Sequence, residues 1–106
     1  MVDSWHFFVS SAPWPELAVT IPDVAYVQIA DGVQPDGTDL MHQTLHQRRQ
    51  PGEGEFDLTR FVNALTDGGY RGPWCAEVLD HDQRMQPVAA FAARTHRRLA
   101  ALCAPG

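Results

Sequence analysis

The chain has 106 residues, 44% of them hydrophobic and 20% charged, with a formal net charge of -5 and an isoelectric point near 5.3. This is the size and composition of a single globular domain, without the lysine and arginine surplus that draws a protein to nucleic acid or anionic lipid. No apolar run approaches the roughly 20 residues that span a bilayer, and no basic segment precedes an apolar one at the start. Neither nucleic acid nor membrane is therefore an expected partner, and a cytoplasmic location is expected. The two cysteines, Cys75 and Cys103, fit no zinc-binding spacing and read as buried free thiols of a reducing compartment.

In chain order, Val2–Phe8 is aromatic-rich and predicts a short strand, and Pro13-Trp14-Pro15-Glu16-Leu17 predicts one or two turns of helix led by proline. Ala25–Ala30 is apolar and β-branched except for Gln28, a pattern suited to a strand buried on both faces of a parallel sheet. A polar loop with Pro35, Gly37, Pro51, Gly52 and Gly54 runs from Asp31 to Asp57, long enough to suggest a functional loop. Asp57 then reads as an N-cap, with Leu58, Phe61, Val62 and Leu65 at helical spacing and Gly68-Gly69 as the stop. Pro73–Leu79 predicts a second buried strand interrupted only by Glu77. A last helix follows Pro87, with Val88, Phe91, Ala92, Thr95, Leu99 and Leu102 on one stripe.

This alternation of strand and helix builds parallel sheets covered by helices. Three such units cannot close a barrel, which needs about eight and roughly 250 residues. Left open, they would expose backbone at apolar edges, so further chain or a second copy is expected to complete the sheet.

Each predicted strand carries polar side chains in an apolar run: Asp3 and His6, then Gln28, then Glu77. A buried carboxylate costs several kcal/mol unless paired, and a buried unbonded amide roughly 1–3 kcal/mol. Taken singly, Glu77 could face solvent, Gln28 could bond a neighbouring loop, and His6 could be a core or surface histidine. Taken together, Asp, Gln and Glu form the oxygen set that hard cations such as Mg²⁺ or Mn²⁺ prefer, with His6 as a fourth ligand or an adjacent acid/base. The loop adds His42, His46, Arg48 and Arg49 ahead of Pro51-Gly52-Glu53-Gly54. A guanidinium there could hold an anion or vicinal hydroxyls, or could belong to a solvated basic turn.

The segments DSWHFF, IPDVAYVQIADG, HQRRQPGEGEFDLTRFVNAL and GYRGPWCAEVL together resemble the xylose isomerase-like barrels of the sugar phosphate isomerase/epimerase superfamily. That group also contains inosose dehydratase, hydroxypyruvate isomerase, 3-dehydroshikimate dehydratase and endonuclease IV-type repair enzymes. The resemblance implies an α/β fold: the C-terminal portion of a (β/α)₈ TIM barrel, about three β/α units corresponding to strands six to eight, over residues 1–106. It implies a divalent cation (Mn²⁺, Mg²⁺ or Co²⁺) held by Asp3, Gln28 and Glu77, with His6 and Arg48 on substrate and Glu77 and His6 as acid/base groups. The doubled Arg48-Arg49 leaves the arginine register open. A first metal-binding glutamate on an earlier strand has no counterpart, so little turnover is expected of these residues alone.

The chemistry so implied is proton abstraction beside a metal-polarised carbonyl, on a sugar, polyol or hydroxy-acid. Isomerase and epimerase chemistry is the first expectation. A 3-dehydroshikimate or inosose dehydratase-like lyase, or a non-catalytic self-associating α/β module, are the alternatives. The endonuclease branch needs more histidines and carboxylates than the chain offers.

Overall fold

Three short parallel strands, β1 (Val2–Asp3), β2 (Val27–Ile29) and β3 (Trp74–Ala76), form one sheet in that order. The computed structural model describes residues 1–34 and 40–103, with only the backbone of His81. Pro35 and Gly37 of the long loop lie outside the described residues. In register, Val2 pairs with Val27 and Asp3 with Gln28, while Val27, Gln28 and Ile29 pair with Trp74, Cys75 and Ala76.

Because side chains alternate along a strand, this register sorts the sheet into two faces. Val27 and Ile29 are fully buried in the core. Asp3, Gln28 and Cys75 therefore share the opposite face, and Glu77, two residues past Cys75, returns to it. The ladder reaches that far, since the Glu77 amide donates to the Ile29 carbonyl at 3.0 Å.

The strand predicted over Val2–Phe8 is a strand only to Asp3; helix α1 occupies Ser4–Val9. The reason is local. Asp3 ends β1 in extended conformation (φ -122°, ψ 122°) and its side chain accepts from the His6 amide, which makes it the N-cap of α1. Ser4 fastens the turn, its hydroxyl donating to the Ala30 carbonyl at 2.8 Å and accepting from the Ala30 amide at 2.9 Å. Helical geometry then gathers the aromatic run into a cluster. Phe8 stacks on Phe56 with centroids 4.8 Å apart, and Phe7 meets Trp14 at 4.9 Å and Phe61 at 5.4 Å.

Helix α2 (Trp14–Thr20) starts behind Pro13, as the sequence predicts, and runs into a 3₁₀ turn, Ile21–Asp23. Where the sequence predicts only a polar loop, helix α3 (Leu40–His46) forms; none of its residues is buried, so it lacks the buried apolar stripe of a core helix. Helix α4 (Leu58–Asp67) forms as expected. Asp57 accepts from the Arg60 amide, Leu58, Phe61, Val62 and Leu65 are buried, and Gly68 caps the end before Gly69 turns at φ 103°.

A short helix, α5 (His81–Arg84), follows β3 on an Asp80 N-cap, and α6 (Val88–Cys103) closes the described chain. The expected α6 stripe is only half covered: Leu99 and Leu102 pack on the core, but Val88 is 83% exposed. The core gathers Trp5, Leu17, Ile21, Val27, Ile29, Phe56, Phe61, Leu65 and Tyr70 around the helix-covered face of the sheet. Among the described residues no helix is long and apolar enough to cross a membrane.

The cysteines depart from expectation. Both are free thiols, but Cys75 is exposed, on the sheet face away from the core, and Cys103 is half-buried with burial pushing its thiol pKa up from the usual value. Thiolate is the reactive form, so Cys75 is expected to be alkylated about tenfold faster than Cys103 at neutral pH, as followed by peptide mapping after timed maleimide labelling.

Candidate active site at the carboxyl ends of the strands

Segment 47–50 is threaded between the ends of β2 and β3. Arg49 and Asp31 exchange both backbone hydrogen bonds, at 2.8 and 2.9 Å, and the Arg48 amide donates to the Leu79 carbonyl at 3.0 Å. This returns the loop to the sheet and drives the Arg48 side chain across the carboxyl ends of the strands.

Arg48 is 4% exposed. Its Nη1 donates to Asp3 Oδ2 at 3.0 Å and reaches the Glu77 carbonyl at 3.5 Å. Nε and Nη2 hold Thr44 of α3, through its carbonyl at 3.0 Å and its hydroxyl at 2.9 Å. Nη2 also lies 3.4 Å from His6 Nε2, and the guanidinium sits 5.1 Å above the Trp5 ring. A guanidinium only donates, so the His6 contact uses the lone pair on Nε2. The two arginines left open by the sequence thus separate: Arg48 is buried among Asp3, His6, Thr44 and Glu77, and Arg49 is exposed.

Of the other predicted site residues, Asp3 and His6 touch this guanidinium through their side chains and Glu77 through its carbonyl, while Gln28 is joined to them only by the sheet register. Asp3 is 7% exposed, its Oδ1 taken by the His6 amide at 3.2 Å. Gln28 and Glu77 are partly buried on the same sheet face as Asp3, and His6 is exposed on α1. His6 lines a cleft of about 590 Å³ between α1 and α3, with Trp5, Val9, Ser10, Leu40, Met41 and Thr44. Its walls are mostly apolar, and its polar groups are those of His6, Ser10 and Thr44. His42 and His46 lie on α3 with ring centroids 5.0 Å apart.

In kind, the donors suit a hard divalent cation: two carboxylates and an amide, from three adjacent strands, on the face free of core packing. Among the described residues no three His, Cys, Asp or Glu side chains gather as a metal-binding group. The Asp3, Gln28 and Glu77 set brings only two such side chains, and Asp3 is shared with Arg48.

Sequence reasoning missed the residues that build the loop. Asp31, read only as the flank of a strand, is 1% exposed, and its carboxylate accepts three backbone amides, Gly32 at 2.8 Å, Gly52 at 3.0 Å and Phe56 at 3.0 Å. Gly54 is required against it, because a Cβ there would lie 2.6 Å from the Gly32 nitrogen. Glu53 pairs with Arg94 and Arg98 of α6. Gln50, fully buried, donates to Gln83 at 2.9 Å and Thr95 at 2.7 Å. Pro51-Gly52-Glu53-Gly54 is thus a strut between the sheet end and α6, and its glutamate faces away from the cleft. The available signal was an aspartate directly before Gly32 with a glycine-rich return, the pattern of a carboxylate collecting turn amides.

The family model for the xylose isomerase-like TIM barrel matches residues 1–100. The chain belongs to the xylose isomerase-like TIM barrel family. Curated relatives include two 3-dehydroshikimate dehydratases. That of Pseudomonas aeruginosa is 36% identical over 69 residues, 65% of this chain and 11% of the relative; that of Pseudomonas putida is 32% identical over 101 residues, 93% of this chain and 16% of the relative. Among solved structures, the IOLI protein with a binding zinc atom superposes with a TM-score of 0.83 at 17% identity, over 96% of this chain and 36% of that one. A xylose isomerase domain protein from Alicyclobacillus acidocaldarius superposes with a TM-score of 0.74 at 31% identity, over 98% of this chain and 36% of that one. The three parallel strands and their helices are thus part of a (β/α)₈ barrel, and in such barrels active sites form at the carboxyl ends of the strands.

Proposed function

We propose that these residues form part of a metal-assisted lyase site that removes water from a cyclic β-hydroxy ketone acid of the 3-dehydroshikimate type. What supports this reading is the sheet face shared by Asp3, Gln28 and Glu77 near the carboxyl ends of the strands, with His6, whose amide bonds Asp3, lining the cleft between α1 and α3. Both curated relatives are dehydratases of that substrate.

Asp3, Gln28 and Glu77 would hold the cation, Mn²⁺, Mg²⁺ or Co²⁺, together with donors from elsewhere in the barrel. When bound, it would supply Lewis-acid polarisation of the substrate carbonyl, which acidifies the adjacent C–H. The remaining work belongs to the chain's own side chains. Glu77, partly shielded from water, is the base that takes the proton from that carbon. His6 stands at the cleft and donates a proton to the departing hydroxyl. Trp5, Val9 and Met41 give the cleft apolar walls that suit the carbon face of a ring and limit water around it.

A sugar or polyol isomerase or epimerase is the second reading, favoured by the family and by the 31% identical xylose isomerase domain protein. It uses the same first proton transfer and differs in where the proton returns. Ligand-observed NMR of the chain with Mg²⁺ separates the two. Saturation transfer to 3-dehydroshikimate, abolished in His6→Ala, is the expected result; transfer only to a ketohexose phosphate moves the assignment to the second reading. Absence of transfer to either, or transfer unchanged in His6→Ala, contradicts both.

A further inference from the structure

We propose that Arg48 is an internal counter-cation that competes with the divalent ion for Asp3, so that cation binding frees the guanidinium into the His6 cleft. The inference rests on the reading of Asp3 as a cation ligand and goes beyond it by assigning Arg48 a second position.

The geometry is specific. Asp3 and Arg48 form an ion pair at 3.0 Å with both side chains 4% exposed, so water screens it little. Both Asp3 oxygens are engaged, Oδ1 by the His6 amide and Oδ2 by Arg48 Nη1. A dication sharing Oδ2 would sit within a few ångströms of the guanidinium, and like charges at that range in a buried site repel strongly. The other arginine contacts are with neutral acceptors, the Thr44 carbonyl and hydroxyl, the Glu77 carbonyl and the His6 ring. Asp3 is thus the only carboxylate in contact with this guanidinium among the described residues, and losing it to a dication removes the strongest hold on Nη1.

Where the freed guanidinium goes follows from its tethers. Thr44 holds Nε and Nη2 and itself lines the cleft with His6 and Trp5. Rotation about this anchor moves Nη1 from Asp3 toward the cleft, where a planar fork of donors matches a carboxylate or phosphate. An anionic substrate and the cation would then bind with positive cooperativity, each favouring the Arg48 position that the other needs.

Calorimetric titration of the 106-residue chain with Mn²⁺ alone tests the competition. Arg48→Met is expected to tighten Mn²⁺ binding about tenfold, and Thr44→Val, which loosens the anchor while leaving charge intact, about threefold; the second variant keeps the test decisive if the first fails to fold. The gain should vanish in Asp3→Asn/Thr44→Val. Equal or weaker binding in the folded variants overturns the competition while leaving Asp3 as a ligand. No Mn²⁺ binding at millimolar concentration by wild type or either variant overturns both readings.

Discussion

Replacing Asp31 by alanine is expected to lower the unfolding free energy by about 4 kcal/mol, since each buried amide left without its acceptor costs about 1–3 kcal/mol and some rehydration is available near exposed Gly52. Three backbone amides, of Gly32, Gly52 and Phe56, converge on this one carboxylate. A domain of this size holds about 5–15 kcal/mol in all, so the loss is a large share of its stability. Asp31→Asn keeps the shape and an acceptor for two amides but turns an NH₂ group toward the third, and a loss of about 2 kcal/mol is expected. Gly54→Ala should cost a similar amount, because its methyl group meets the Gly32 backbone and neither strand end nor loop can retreat without breaking the Asp31–Arg49 pairing. Urea unfolding followed by tryptophan fluorescence measures all three. Loss of less than about 1 kcal/mol in Asp31→Ala would mean that the loop is held by something other than this carboxylate.

Arg48→Met is the second large effect, an expected loss of about 3–5 kcal/mol, the usual consequence of deleting one partner of a buried pair and stranding the other. Asp3 would keep its His6 amide bond but lose its only cationic neighbour among the described residues, and the carbonyls of Thr44 and Glu77 would lose a donor. Methionine preserves much of the side-chain volume over Trp5, so the loss reports charge and hydrogen bonding more than packing. A divalent cation should return part of it. Stabilisation by a ligand at a hundred times its Kd amounts to about 2.7 kcal/mol, so the melting temperature of Arg48→Met should rise more with Mn²⁺ than that of the wild type. An equal rise in both proteins would show that cation and arginine do not meet at Asp3.

The parts of the fold legible in the sequence were those where one local pattern had one outcome. Asp57, the apolar spacing from Leu58 to Leu65, and Gly68-Gly69 predict α4 and its ends, and the structure reproduces each. Val27 and Ile29 were readable as core because a parallel strand covered by helices carries an apolar run. Val2–Phe8 misled because aromatic residues suit strands in isolation, whereas Asp3 capping the His6 amide and Ser4 bonding Ala30 are contacts that decide for a helix. Helix α3 was unreadable because it buries nothing. At the site, the polar residues in apolar strands made the shared face of positions 3, 28 and 77 legible, but the contacts of Arg48 were not. Its partners lie 45 residues away at Asp3 and 42 at His6, and they meet through the Asp31–Arg49 and Gln47–Asp80 pairings and the Arg48–Leu79 hydrogen bond, none of which a local pattern announces.

Asp3, Gln28 and Glu77 are proposed to hold one cation on the sheet face opposite the core. Paramagnetic line broadening by substoichiometric Mn²⁺, read on assigned backbone amides, tests it most directly. Broadening is expected to centre on Asp3, Gln28 and Glu77, to extend to His6 and Arg48, to spare α2 and the end of α6, and to disappear in Asp3→Asn/Glu77→Gln. Broadening centred elsewhere, as on Glu53 or the acidic turn at Asp80–Asp82, or persisting in that double variant, would contradict it.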